Sequence, residues 1–385
     1  MITADNYALA IVLCVLTMTC WGSWANTQKL AARTWRFELY YWDFVAGLLV
    51  FSTLAALTLG SFGPAGRPFL ADLSQADGGS ILSAFLGGTV WNLGNLLLVA
   101  AIAVAGMAVG FPIGGGIAWV LGIVFNYLLM MLAKGDAQRN PVLLFTGVAV
   151  IVAAIVLGMT AYGRMASAAK KPGAKGILLS VGAGLLIAFF YGLVVRAIDK
   201  EFVTGGTGNL MPLTGAFFFS LGAFLTTFLF NPIFMKKPVE GPPVSMAAYW
   251  KGSFGTHLTG VLGGAIWGLG LTSSFMAVGA AGPAVSYALS NAAPVVAILW
   301  GVLVWKEFAQ APAGTNRLLV WMFICYLVGL AIITYSNALP GLRGAQGKDC
   351  IFTSESGSVV SLSAAAPLFP RTHPRPRTRL HDYAR

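Results

Sequence analysis

Charge is scarce in this chain. Asp, Glu, Lys and Arg make up 10% of its 385 residues and only 13 of them are acidic, where a soluble domain carries about 25%. That shortage, with 57% hydrophobic residues and a mean hydropathy of +0.77, excludes a soluble globular fold. Histidine is rarer still: His373 and His381 lie near the end of the sequence, leaving His257 by itself. A metal enzyme needs clustered ligands, and the four cysteines (Cys14, Cys20, Cys325, Cys350) lack metal-ligand spacing. They read as small packing residues, and no cofactor or metal is expected. No G-x-x-x-x-G-K-[ST] loop occurs, so nothing points to ATP drive.

Long apolar runs are what the chain does have. Ten can be placed, near 7–27, 43–61, 81–104, 107–132, 141–161, 176–196, 212–231, 257–279, 282–305 and 318–338, each long enough to cross roughly 30 Å of hydrocarbon. The first run follows Met1-Ile2-Thr3-Ala4-Asp5-Asn6, with no positive n-region and no small-residue cleavage pattern, and is expected to be a true span. The net charge of +11 would suggest nucleic acid in a soluble protein. Here the basic residues sit between apolar runs or in the last 45 positions, so the expected partner is the bilayer and no nucleic acid.

The stretch Leu86-Gly87-Gly88-Thr89-Val90-Trp91-Asn92-Leu93-Gly94 returns, 176 positions on, as Leu262-Gly263-Gly264-Ala265-Ile266-Trp267-Gly268-Leu269-Gly270. The same offset pairs Ala105 with Ala281, Gly106 with Gly282 and Val109 with Val285. The copies fall in the third and eighth runs. Five crossings separate them, an odd number, so the halves should traverse the membrane in opposite senses. The expected fold is an all-α polytopic membrane protein, ten transmembrane helices as two inverted-topology five-helix repeats. Residues 1–162 form the first repeat, 163–175 a cytoplasmic linker, 176–340 the second repeat and 341–385 a disordered basic tail.

Twelve basic residues, among them Lys29, Arg36, Lys236, Lys251 and Arg317, fall on one side of the membrane, and five, including Arg67, Arg196 and Lys200, on the other. The positive-inside rule puts the twelve in the cytoplasm of a multi-pass protein of the inner or plasma membrane, with both termini extracytoplasmic. The tail's arginines oppose this assignment.

In such repeats, solute sites form where helices are broken at matching positions. Phe111-Pro112-Ile113-Gly114-Gly115-Gly116 and its mate from Tyr287 to Ser290-Asn291-Ala292-Ala293-Pro294 are the expected pair; the glycines could equally serve close helix packing. Asn92 and Asn95 share one small-residue face with Gly88, a donor and acceptor set without charge that suits a neutral solute. Interhelical hydrogen bonding is the alternative use of these amides. Trp91 and Trp267 are repeat mates, and Trp21 has an analogue in Tyr191, each followed by Gly. Flat rings stack on sugars or heterocycles, though they also pack helices and line interfaces. Asp43 has two readings, a proton carrier in low dielectric or a cap at a helix start. Asn126 and His257 are further candidates, and Glu307 beside Lys306 reads as a boundary ion pair.

The residues Gly22-Ser23-Trp24, Tyr41, Asp43, Leu93-Gly94-Asn95-Leu96, Asn126-Tyr127, Phe217-Phe218-Phe219, Asn231-Pro232, Phe275-Met276, Ala281-Gly282 and Trp300-Gly301 with Glu307 carry a family likeness. Between about Trp21 and Asn337 the chain resembles the drug/metabolite transporter superfamily. Within it, the chain is similar to plant-type ureide permeases and to the glucose/ribose porter group that includes the rhamnose-proton symporter. The resemblance implies a ten-helix carrier importing a small polar metabolite, often with protons. The central linker is shorter than in plant ureide permeases, and the stretch after Pro340 has no counterpart, so the cargo does not carry over.

The expected function is therefore secondary active transport of a small neutral polar solute, a sugar or a ureide-like heterocycle, by proton symport and alternating access. Trp21, Trp91, Asn92, Asn95, Gly115, Asn126, Trp267, Tyr287 and Asn291 are the expected solute contacts, with Asp43 the proton site. Protons and solute are the expected partners of a monomer or homodimer. Export of amphipathic compounds is the alternative, with a channel or structural role behind it. An intramembrane aspartyl enzyme would need a second carboxylate to match Asp43, and the sequence offers none.

Overall fold

The computed structural model describes residue 4 and residues 6–31, 35–63, 65–105, 107–132, 140–166, 174–239 and 241–338; most of the linker and the tail lie outside them. Among the described residues, ten helices are long and apolar enough to span a membrane: Tyr7–Ala31, Phe37–Leu57, Gly78–Ala101, Ile113–Leu132, Pro141–Ala161, Ala174–Ala197, Pro212–Lys236, Phe254–Ala281, Pro283–Val304 and Thr315–Ala338. The count agrees with the ten apolar runs. No strand is present among the described residues, only an isolated bridge between Ile198 and Leu210.

Besides shifts of a few residues at other span edges, two features differ from the sequence reading. The second span begins at Phe37, because Glu38 is fully buried and paired with Arg36, so a charged residue sits inside the helix without ending it. The fourth runs as one helix, Met107–Leu132, through Pro112 and the three glycines. Its glycines serve approach: a Cβ on Gly184 of the sixth span would stand 2.7 Å from the Gly114 carbonyl. The expected pair of breaks is thus reduced to one. In the ninth span, helix Pro283–Ser290 stops, residues 291–293 form a turn, and helix Pro294–Leu299 leads into a π-helical turn, Trp300–Val304. Pro294 has no amide to offer the Ser290 carbonyl, so the ladder is interrupted there.

Lipid is as apolar as leucine, so helix association in a bilayer depends on close packing rather than on expulsion of water. Glycine supplies the closeness. A Cβ on Gly88 would lie 1.9 Å from the Phe219 carbonyl oxygen, and one on Gly264 would lie 1.9 Å from that of Phe44. Gly222 meets the Phe85 carbonyl and Gly47 the Val261 carbonyl, each at 2.2 Å by the same measure. The duplicated glycines therefore set the same joint twice, third span on seventh and eighth on second. Other contacts are mated likewise: third on sixth with eighth on first, and fourth on sixth with ninth on first. The fifth and tenth spans pack on each other. There Gly147 faces Ile333, Ile151 faces Gly329 and Gly158 faces Met322, one number rising as the other falls, so the two run antiparallel.

Loops on each side are tied together. On the face opposite the basic residues, Arg67 (3% exposed) bonds Asp72 at 2.8 Å, Asp199 at 3.1 Å and the carbonyls of Val203, Gly205 and Asn209. Asp77 starts the third span: the Ser80 amide and hydroxyl bond its carboxylate and hold it below the usual carboxylate range. Lys200 nearby is lowered by burial.

Gly264→Val should lower stability in detergent by at least about 1–3 kcal/mol, since the backbone itself must move to admit the side chain. Gly78→Ala, with nothing within 4 Å of its Cβ, should leave the melting temperature nearly unchanged. Thermal denaturation of the two variants side by side checks both.

Candidate functional site

A cavity of about 530 Å³ lies among the first, third, fourth, fifth, ninth and tenth spans. Trp21, Asn95, Gly115 and Asn291 line its mid-span part, and Lys29, Trp305 and Glu307 line it toward the basic face. The break in the ninth span opens onto it, through Asn291, Ala292 and Pro294. The wall also holds Trp119, Ile155 and Tyr326, so the surroundings are mainly apolar and aromatic with a few amides, the usual make-up of a small-molecule site.

At the basic end, three side-chain pairs join the first span to the ninth. Trp300 Nε1 donates to Ser23 Oγ at 2.9 Å, Trp305 Nε1 donates to Asn26 Oδ1 at 2.6 Å, and Lys29 pairs with Glu307. Lys29 also lies 4.3 Å from the Trp305 ring centroid. Glu307 thus pairs across 278 positions of sequence with Lys29, whereas the sequence reading set it beside Lys306. Toward the opposite face the first, sixth, eighth and ninth spans close on a buried hydroxyl cluster. Tyr191 meets Ser286 Oγ at 2.7 Å and Ser274 Oγ at 2.9 Å, and Ser274 donates to Ser290 at 3.0 Å.

Of the expected contacts, four line the cavity: Trp21, Asn95, Gly115 and Asn291. Trp267 and Trp91 stand behind them. Trp21 stacks on Trp267 at 5.0 Å and 17°, Trp267 lies parallel to Phe219 at 5.7 Å, and Trp91 approaches Trp267 at 4.3 Å. Asn92 is fully buried, bonded to Tyr41 and to Thr226 and Thr227. Tyr287 is buried too; its hydroxyl donates to the Ala118 carbonyl at 2.7 Å and its ring packs on Tyr191. Asn126 donates to the Gly122 carbonyl within its own helix. None of these five lines the cavity. Trp119, Trp305 and Tyr326 were not singled out from sequence. Trp119 lies on the same helix face as Gly115, four positions on, which was the available signal.

Asp43 lies away from the cavity. It is nearly two turns inside helix Phe37–Leu57, which removes the capping reading. Its carboxylate accepts from the Tyr249 hydroxyl at 2.6 Å and lies 2.8 Å from His257 Nδ1. Burial, and then Asp43 itself, raise the Tyr249 pKa, so the phenol stays a donor. Trp35 packs edge-on against both His257 and Tyr249. The second span, the short helix Met246–Tyr249 and the eighth span thus meet in one polar cluster at the basic face.

The fold and the cavity define a polytopic helical membrane protein with a solute-sized chamber among its spans. The sequence profile of the family described as ureide permease matches residues 40–172 and 164–336, and the chain belongs to that family. It is 28% identical over 396 residues to Ureide permease 1 of Arabidopsis thaliana, covering 88% of this chain and 98% of the relative. Ureide permease 2 of the same plant is 27% identical (85% and 97% covered), and Probable ureide permease A3 of Vigna unguiculata 25% identical (80% and 97%). One solved crystal structure superposes with a TM-score of 0.54 at 15% identity, over 86% of this chain and 97% of its own, a likeness of fold alone.

Two outcomes follow from this geometry. In a background freed of Cys14, Cys20, Cys325 and Cys350, a cysteine at Gln28 should react quickly with a hydrophilic maleimide, and one at Ser290, fully buried, only slowly. Arg67→Met should cost about 3–5 kcal/mol, because it strands two buried carboxylates; Arg67→Lys, which keeps a charge, should lose less, as read by thermal denaturation.

Proposed function

We propose that this protein is a secondary transporter for a small, uncharged polar solute of ureide-like or sugar type, working by alternating access with proton symport. The observation that carries the reading is the cavity: amide and indole groups gathered at mid-span, with Gln28, Lys29 and Glu307 lining it toward the basic face and the hydroxyl cluster around Tyr191 buried toward the other. The names of the relatives, ureide permeases, support the ureide end of that range.

Halves 1–162 and 176–340, joined by 163–175, act as inverted repeats in this proposal. The mated contacts and the antiparallel fifth and tenth spans favour it. Rocking about the glycine joints would open the Tyr191 side while the Trp300 and Trp305 side closes. The twelve-residue basic face is assigned to the cytoplasm of the cell membrane. Asp43 serves as the proton site. Its carboxylate, held by Tyr249 and His257 between the second and eighth spans, couples protonation to the joint those spans form and not to the solute directly.

Proteoliposome uptake of labelled ureides, sugars and nucleobases tests the reading. Uptake should saturate, rise with counterflow and rise again with an imposed inward proton gradient. Asp43→Asn should abolish the gradient's effect and retain counterflow. Asn95→Leu should raise the Km on the order of tenfold, the loss of one hydrogen bond to the solute. Uptake indifferent both to the gradient and to Asp43→Asn would remove proton coupling. Preferential binding of lipophilic cations would instead favour an exporter.

A further inference from the structure

We infer that the cavity recognises its solute as a hydrogen-bond donor, and that Tyr41, Asn92, Thr226 and Thr227, none of which line it, fix that polarity by orienting Asn95. The inference rests on the cavity being the solute site. It adds to that reading which way the amides point.

An asparagine side chain has a donating end and an accepting end, and its neighbours decide which end goes where. The decision begins two spans from the cavity. Thr226 Oγ1 donates to the Gly222 carbonyl at 2.6 Å and Thr227 Oγ1 to the Ala223 carbonyl at 2.8 Å. Each hydroxyl proton is thereby occupied within its own helix, so each oxygen is left as an acceptor. Asn92 faces both at 3.0 Å and must present its NH2 to them; the contact from Thr227 to Asn92 Oδ1 is longer, 3.3 Å. The Asn92 carbonyl oxygen then faces Tyr41, whose hydroxyl donates to it at 2.9 Å. With its proton used, the Tyr41 oxygen can only accept, and it accepts from Asn95 Nδ2 at 3.1 Å. What Asn95 turns to the cavity is its carbonyl oxygen.

Asn291 reaches the same state by a shorter route. Its Nδ2 donates to the Tyr287 carbonyl at 3.1 Å, an atom that can only accept, so Oδ1 is the free end. Several nearby donors are meanwhile occupied. Trp21, Trp119 and Trp305, three of the four indoles on the wall, give their N–H groups to Trp267 O, Ala288 O and Asn26 Oδ1. Lys29 is paired with Glu307. The mid-span chamber thus offers aromatic faces and two amide oxygens, with the Tyr326 hydroxyl, which can donate or accept, beside them. A flat solute rich in N–H or O–H fits it; an acceptor-only molecule of equal shape would set oxygen against oxygen.

Matched probes test this: hydantoin, which carries N–H donors, against N,N'-dimethylhydantoin, which has none, with tetraethylammonium as a cation lacking donors. Binding to the full-length protein in detergent is followed by thermal shift and calorimetry. Hydantoin should bind at least about tenfold tighter than its dimethyl form, the effect of one or two lost bonds. In Tyr41→Phe, which keeps the ring but frees the Asn95 amide to turn, the preference should fall to about twofold or less. A variant that merely loosened the fold would weaken both probes and keep their ratio. Equal or tighter binding of the dimethyl form or of tetraethylammonium to the wild type would overturn the inference. So would a Tyr41→Phe protein with its preference intact.

A ligand-free readout separates this from the cargo reading. In protein labelled at asparagine nitrogen, the Asn95 side-chain amide should be protected from exchange with water, since its nitrogen is held at Tyr41 by a hydrogen bond through one of its two N–H groups. Protection with no probe bound would leave the polarity standing and remove the ureide-like cargo; fast exchange would overturn the polarity itself.

Discussion

Contact between glycine and a facing carbonyl holds this molecule in shape. At Gly88 and Gly264 a helix axis approaches its neighbour so closely that a β-carbon would overlap the opposing backbone. In water such contact would be one contribution beside a large hydrophobic term. In a bilayer the hydrophobic term has already been realised by insertion, and dispersion at close range plus interhelical hydrogen bonds remain to choose among arrangements. That is why the duplicated motif is written in glycine. The joints it makes pack the third span on the seventh and the eighth on the second.

Asparagine and tryptophan follow from the same economy of partners. No water competes in the hydrocarbon region, so a polar group left alone there costs several kcal/mol. Many of the buried polar side chains here are accordingly linked: Tyr191 with Ser274 and Ser286, Asn92 with Tyr41 and two threonines, Trp21 with the Trp267 carbonyl. Such links differ in consequence from packing. A methyl group in contact has no sense of direction, but a hydroxyl already donating can only accept, and that constraint is passed to the next residue. The set of threonine bonds within the seventh span is in this way felt at Asn95, on another helix and on the chamber wall.

How much of this was legible in the sequence follows from what each signal depends on. Twenty apolar residues in a row depend on nothing else in the chain, so the ten spans could be placed, and the 176-residue offset exposed the glycine joints before their partners were known. The second span starts before its apolar run, which opens at Asp43, because Asp43, held by Tyr249 and His257, and Glu38, paired with Arg36, both sit inside the helix. The Pro112 run was taken as a break because proline and glycine are poor helix formers. The tertiary setting overrode that propensity by using the glycine for approach to Gly184. Site residues were harder. Trp91 and Trp267 announce themselves by repetition, but repetition marks what the two halves share, which is the joint. The chamber wall is drawn from residues that differ between halves, such as Trp119 and Asn291, and from pairs such as Lys29 and Glu307 that no local pattern connects.

Under the inverted-repeat proposal, that difference bears on how a repeated scaffold would hold an asymmetric site. The fourth span keeps its ladder through Gly114, Gly115 and Gly116, and the ninth gives it up at Asn291, resumes at Pro294 and ends in a π-turn from Trp300. An interrupted helix offers carbonyls and a side-chain amide to a solute; a continuous one offers a smooth wall against which the solute can lie. If both had broken, two sets of unsatisfied backbone groups would face one small chamber, and the empty state would be costly. One broken and one intact span divides the tasks, so the halves can share the geometry of the joints while only one of them carries the exposed backbone.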